Sequence, residues 1–190
     1  MAKLLAATIA LLALTVVPAH ATCGHVKRAP GASAVGTAPL ALGDSVMIDA
    51  ARPLARAGFE VNAKCGRSPR GGLIVLRRRR DRGTLPKKVV LALGTNWWVT
   101  SGHIRRARRI LGPRRTLFLV TPYRSWRAVS NGPMRRAARR RRRVRLVDWS
   151  AAAYGHIDWF QADGTHLRRS GVRAYTRLLK RRVGVRTMSS

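Results

Sequence analysis

The sequence predicts an α/β protein: a three-layer α/β/α sandwich built on a five-stranded parallel sheet. Three observations predict it. Five short apolar runs recur along the chain, two of them continuous rather than alternating, as in strands buried on both faces. Segments with helical spacing lie between the runs, and parallel neighbours need helical crossovers. At 190 residues with 46% hydrophobic residues, the chain has the length of one domain and enough apolar surface for a core. A multi-domain machine and a globally disordered chain are thereby excluded.

The elements follow in order. Met-Ala-Lys, the apolar run from Leu4 to Val17 and Ala19-His20-Ala21 read as a secretory signal peptide over residues 1–21. Cleavage near Ala21 leaves a mature chain that is secreted or associated with the cell envelope; the alternative is an uncleaved N-terminal anchor. Residues 22–37, rich in Gly, Ala, Pro and Ser without periodicity, are expected to be a flexible lead-in. The domain is expected over 38–185, with a short tail at 186–190. Its strands are read at Leu40 to Leu42, Phe59 to Val61, Val89 to Leu93, Thr116 to Val120 and Val144 to Val147. Met47, Ala50, Ala51 and Leu54 share one helical face before Gly58, and Ile104, Ala107, Ile110 and Leu111 share another before Gly112-Pro113. A last helix carries Val172, Tyr175, Leu178, Leu179 and Val183, with Ser170 placed to cap it and Gly184 to end it. No internal repeat is visible, and the alternation of strand and helix fits a doubly wound, flavodoxin-like sheet.

Charge is the most unusual property. Lys and Arg number 39 against 7 Asp and Glu, a formal net charge of +32, so the surface should attract polyanions. Much of the excess falls in Arg77 to Arg80, Arg105 to Arg109 and Arg135 to Arg145. These runs are either solvated helix faces or a dedicated binding patch. Cys23 and Cys65 both lie in the exported part, where they either form a disulfide or remain two thiols.

In open parallel sheets, ligands bind beyond the carboxyl ends of the strands. There the sequence places Gly43-Asp44-Ser45, Cys65-Gly66-Arg67-Ser68, Gly94-Thr95-Asn96, Thr121-Pro122-Tyr123 and Asp163-Gly164-Thr165-His166. These residue types suit nucleophilic acyl transfer. Ser45 needs a base to remove its proton, and His166 is the candidate. Asp163, three residues earlier, can hold one ring nitrogen and leave the other for Ser45. The backbone N–H groups of Ser45 and Gly66 and the side-chain amide of Asn96 are candidate oxyanion-hole donors.

Taken in order, the Ser45, Gly66, Asn96 and Asp163-x-x-His166 blocks resemble those of the SGNH (GDSL-type) hydrolases over nearly the whole mature chain. The resemblance implies an esterase or acyltransferase with Ser45 as nucleophile, His166 as base and Asp163 as its orienting carboxylate. It also implies an oxyanion hole of Ser45, Gly66 and Asn96. Gly-Asp-Ser-Val-Met at the first block, Gly-Thr-Asn-Trp at the third and the Gly66-Arg67 pair are more similar to the SGNH domains of bacterial peptidoglycan O-acetyltransferases.

Other residues carry two readings. Asp44 either caps a helix or tunes the nucleophile. Trp97, Trp98 and Tyr123 either bind substrate at the sheet edge or cover the core. Trp149 and Trp159 read chiefly as packing, Asp158 as a rival partner for His166, and Asp148 as a cap on the following turn. His25, His103 and His156 show no metal-ligand spacing, so neither a metal nor a cofactor is expected.

Three functions follow from this reading. The first is a secreted serine esterase acting on acetyl or other short O-acyl esters. The second is an O-acetyltransferase that passes the same acyl group to a cell-wall glycan. The third is a non-catalytic cationic binder of anionic envelope polymers. The expected partners are an ester or acetylated glycan substrate and, electrostatically, the anionic envelope; nucleic acid is not expected as the physiological partner, and the chain is expected to be a monomer.

Overall fold

The computed structural model describes residues 23–28, 35–123 and 129–185. The signal peptide read at 1–21, part of the lead-in and the tail at 186–190 lie outside the described residues. Among the described residues six strands form one sheet: β1 (Gly24–Lys27), β2 (Leu40–Gly43), β3 (Glu60–Lys64), β4 (Lys88–Ala92), β5 (Thr116–Val120) and β6 (Val144–Val147). Their order is β1-β3-β2-β4-β5-β6. The five strands from β2 to β6 are parallel, with registers such as Leu40 opposite Val89 and Leu117 opposite Val144.

The sixth strand is a departure from the sequence reading. Gly24–Lys27, in the segment read as lead-in, pairs antiparallel with β3 along the edge of the sheet. A disulfide joins Cys23 to Cys65, and Cys65 N–H donates to Cys23 O at 2.8 Å, so this strand is fastened at the end of β3. Its side chains are mostly exposed, which is why no burial pattern marks it in the sequence.

Helices cover both faces. One layer holds α1 (Ser45–Asp49), α2 (Ala51–Arg56), α6 (Trp149–Ala152) and α7 (Arg169–Val183); the other holds α3 (Pro69–Asp81), α4 (Ser101–Leu111) and α5 (Asn131–Arg140). Met47, Leu54, Phe59, Val61, Tyr175 and Leu179 fill the first core, and Leu40, Leu42, Leu76, Ile104, Leu111 and Leu117 the second. Neighbouring β-strand residues therefore face opposite cores, as the pleat requires.

Two expectations about helices need correction. The apolar face from Met47 to Leu54 is divided between α1 and α2, because Ala50 leaves helical geometry at φ −95°, ψ 4°. Pro53 lacks the N–H that a continuous helix would use to bond Asp49. Ser170 does not cap α7, which already begins at Arg169; its hydroxyl instead donates to Asp158 O at 3.2 Å. The arginine-rich runs also hide two helices that the sequence reading did not place. Leu73 and Leu76 face the sheet from α3, whose Ser68 N-cap accepts from Gly71 N–H at 3.1 Å; Met134 and Ala137 do so from α5.

Candidate active site

The strand order reverses around β2, whose neighbours are β3 on one side and β4 on the other. Loops leaving the carboxyl ends of these strands diverge and open a crevice. Ser45 stands there as the first residue of α1, directly beyond β2. Asp44 caps this helix by accepting from Val46 N–H at 3.3 Å, and its other carboxylate oxygen accepts from Thr95 N–H at 3.3 Å. At 1% exposure, Asp44 is therefore both the cap expected from the sequence and a bridge from the Ser45 block to the Asn96 block. Gly43 permits the tight entry to α1, since a Cβ there would lie 2.5 Å from the Met47 Cβ.

The Asn96 loop leaves β4 through Gly94, which has φ +123° and packs against Pro122; both conditions favour glycine. The Asn96 Nδ2 amide is buried and has no hydrogen-bond partner among the described residues. Buried donors are normally paired. An unpaired one beside the nucleophile's loop is what an oxyanion hole presents before substrate arrives.

Gly66 lies in the turn between β3 and α3. The residue after it, Arg67, is only 9% exposed. Its guanidinium donates to Gly43 O at 3.0 Å, Asn62 O at 2.5 Å and Asn62 Oδ1 at 2.6 Å. Arg67 thus fastens the Gly66 turn to the end of β2, immediately before Asp44-Ser45. Burial pulls its pKa down, and the charge of Asp44 opposes that shift.

His166 and Asp163 share the loop before α7. Asp163 Oδ2 and His166 Nδ1 are 2.5 Å apart, and Asp163 Oδ1 accepts from Thr165 N–H at 2.8 Å and His166 N–H at 3.0 Å. The His166 hydrogen bond is the main reason that the Asp163 carboxyl is held down at about 2. The next residue anchors the loop: Leu167 N–H donates to Asp49 Oδ2 at 2.8 Å, at the far end of the nucleophile's helix. Burial raises the Asp49 pKa, whereas the Leu167 bond and the charge of His166 lower it. Asp44, Val46 and Thr165 border one cavity of about 20 Å³, so the residues flanking Ser45 and His166 meet around it. The structure thus brings the Ser45, Gly66, Asn96 and His166 blocks to one sheet edge.

Several sequence readings resolve here. Asp158 faces His156, with 3.9 Å between Oδ1 and Nδ1, rather than His166. Asp148 caps α6 and pairs with Arg135. Trp149 is buried against Trp159 and Tyr175, while Trp159 also stacks on His156. Tyr123 stacks on Phe160, with ring centroids 4.5 Å apart, and also borders the cavity beside Asp44. Trp97 and Trp98, which directly follow Asn96, are 63% and 60% exposed. Two residues absent from the sequence-derived site help to hold it: Asp49 and, through its side chain, Arg67. An acid four residues after the candidate nucleophile was the available signal for Asp49; an arginine directly after the oxyanion-hole glycine was the signal for Arg67.

A serine, a histidine–aspartate pair and a buried amide donor at one edge of a doubly wound sheet are the residue set that serine-type acyl transfer requires. No family model matches the chain. It is 32% identical over 148 residues to O-acetyltransferase OatA of Staphylococcus aureus, an alignment covering 75% of this chain and 24% of that protein. The chain spans about a quarter of the length of the curated relatives it matches. Among solved structures, the C-terminal catalytic domain of Streptococcus pneumoniae peptidoglycan O-acetyltransferase A superposes with a TM-score of 0.70 at 21% identity, covering 80% of this chain and 94% of that one. The Clostridium thermocellum family 3 carbohydrate esterase gives a TM-score of 0.55 at 16% identity, covering 77% and 94%. In sequence the chain is similar to peptidoglycan O-acetyltransferases, and in fold to GDSL-like lipases and carbohydrate esterases.

Proposed function

We propose that this chain is an exported esterase that removes acetyl or other short O-acyl groups from a glycan through an acyl-enzyme on Ser45. The observation that carries this reading is the Asp163–His166 pair on a loop bonded, one residue later, to the nucleophile's own helix. With Nδ1 engaged by Asp163, Nε2 is left to take the Ser45 proton as Oγ attacks the ester carbonyl. The Ser45 and Gly66 N–H groups and the Asn96 amide receive the developing oxyanion. As the intermediate collapses, the ester C–O bond breaks and His166 returns the proton to the leaving alcohol. Water then attacks the acyl group on Ser45, with His166 again as base, and releases the acid.

A second reading, O-acetyl transfer to a cell-wall glycan, is favoured by Trp97 and Trp98. Their exposed rings directly after Asn96 offer a stacking surface to a sugar acceptor. The acceptor hydroxyl would then replace water at the acyl-enzyme. Electrostatic retention on the anionic envelope by a monomeric, highly basic protein accompanies either reading.

The test is hydrolysis of p-nitrophenyl acetate by the purified chain and its Ser45→Ala variant, beside an acetylated glycan and a glycan acceptor. Turnover that disappears with Ser45 is expected, and acetyl found on the acceptor selects the transferase. No turnover, together with no labelling of Ser45 by a serine-directed phosphonate, would leave the non-catalytic binder as the function.

A further inference from the structure

The carboxylates of this chain are few enough to follow individually. There are seven acidic side chains against 39 basic ones. Asp44, Asp49 and Asp163 serve the site described above, and Asp158 faces His156. The remaining three pair with Arg79, Arg80 and Arg135. No acidic side chain is left to neutralise the arginines of α4 and the outer face of α5.

Those arginines line a concavity. Between α4 and α5 runs an open cleft of about 340 Å³, bordered by Arg105, Arg136, Arg140 and Arg141 over a floor that includes Ile104 and Ala137. The positive charge continues beyond it: burial, and after it the charges of Arg143 and Arg141, pull down the pKa of Arg108. One end of the cleft touches Ser101, which opens α4 just beyond the Asn96 loop. The cleft therefore begins near the candidate active-site edge and descends along the helical layer.

We propose that the α4–α5 cleft binds a phosphodiester-linked polymer of the cell envelope, with Arg105, Arg136, Arg140 and Arg141 contacting successive phosphates. Arginine suits this task because its planar fork pairs with phosphate oxygens in two-point contacts. The cleft is concave, and among the described residues no exposed large apolar side chain lines it, so they supply none of the wedges that hold a protein on a bilayer. Among the described residues it also has no aromatic lining on which nucleobases would stack. A slender chain of phosphates is the polyanion that fits. The choice of an envelope polymer rests on the export reading above, and binding would hold the esterase beside its glycan substrate.

The test measures binding of the full chain to poly(glycerol phosphate) against salt concentration. One variant carries Arg105→Gln, Arg136→Gln and Arg140→Gln; a control carries Arg52→Gln, Arg56→Gln and Arg173→Gln, which removes equal charge from the opposite helical layer. At roughly 0.7 released counterions per contact, three lost contacts lower the log–log salt slope by about 2 and the affinity about 50-fold at ~0.15 M salt. The control is expected to stay within about 3-fold of the parent. Equal losses in the two variants would overturn the proposal, since only net charge would then matter. So would binding to single-stranded DNA or phosphatidylglycerol vesicles as tight as to the polymer at equal phosphate. Hydrolysis of p-nitrophenyl acetate checks that both variants fold. If the parent itself shows no hydrolysis, thermal melts take over that check, and the polymer titration reads the cleft independently of the esterase reading.

Discussion

Arg67 offers the sharpest test of how the site is held. Its guanidinium reaches three acceptors, Gly43 O, Asn62 O and Asn62 Oδ1, at 3.0, 2.5 and 2.6 Å. Hydrogen bonds from a charged donor contribute about 1.5–3 kcal/mol each, and part of the total is offset by the cost of burying the guanidinium. Arg67→Met removes all three bonds and leaves Asp44 without its nearby positive charge, so a loss of about 3–5 kcal/mol in folding stability is expected. Arg67→Lys is the more informative change. Lysine keeps the charge and can satisfy one acceptor, but it lacks the fork that spans from β2 to β3.

With that span lost, the Gly66 turn is no longer fixed against Gly43-Asp44-Ser45, and the oxyanion donors shift relative to one another. A displacement of about 1 Å at such a site costs roughly 100-fold in rate. Arg67→Lys is therefore expected to lower kcat on p-nitrophenyl acetate about 100-fold with KM little changed, because the hole acts on the transition state rather than on bound ester. Urea melts of the same samples separate this effect from unfolding. An Arg67→Lys enzyme that folds and retains kcat within about 3-fold of the parent would refute the argument.

Other perturbations give equally definite outcomes. Asn96→Ala should lower kcat about 100-fold or more, yet change the urea midpoint little, because its Nδ2 has no hydrogen-bond partner among the described residues. Asp163→Asn should cost roughly 10,000-fold in kcat through the wrong imidazole tautomer. The Asp163 carboxyl lies at about 2, below its ordinary value, so its favourable contribution is present at neutral pH and is lost only as pH falls toward 2; the acid limb of a pH–rate profile above pH 4 should not come from it. The Asp49 carboxyl is shifted the other way by burial, so its ionisation opposes folding as pH rises through the carboxylate range; Asp49→Asn should gain stability relative to the parent across that rise while still accepting from Leu167. Cys23→Ser with Cys65→Ser opens a loop with a sequence separation of 42 and should lower stability by up to about 4 kcal/mol in reducing-agent-free urea melts.

Much of the fold is legible in the sequence because parallel strands buried on both faces leave continuous apolar runs. Thr116–Val120 and Val144–Val147 occupy the bounds read for them. The helices least legible were α3 and α5, where the apolar stripe is narrow and arginine runs dominate; one buried residue per turn, such as Leu73, Leu76, Met134 or Ala137, is a weak periodic signal. Strand β1 lies at an exposed edge held by the bridge to Cys65, so the information that places it sits about 40 residues away rather than in its own pattern. Ser45, Gly66 and Asn96 follow the ends of β2, β3 and β4, which the apolar runs mark in the sequence, whereas Asp163 and His166 lie beyond α6 in the loop before α7. Their supports were not legible, since Arg67 reaches back to Gly43 and Asp49 reaches forward to Leu167 across sequence separations of 24 and 118.

The placement of acids follows from the same physics. A chain with a net charge of +32 experiences self-repulsion that almost any added carboxylate would relieve, yet it has only seven. Two of them stand at opposite ends of the nucleophile's five-residue helix: Asp44 grips the Asn96 loop and Asp49 the loop after His166. A third, Asp163, holds His166 itself. Such a short helix has little hydrogen bonding of its own with which to fix Ser45. Position is imposed instead by two carboxylates and the Arg67 guanidinium, each binding backbone groups of a neighbouring block. The order of the four blocks along the chain and their meeting at one edge are thus linked by side chains outside the nucleophile, base and oxyanion set. For this reason, substitutions at Asp49 and Arg67 should affect turnover even though neither side chain is assigned a contact with substrate.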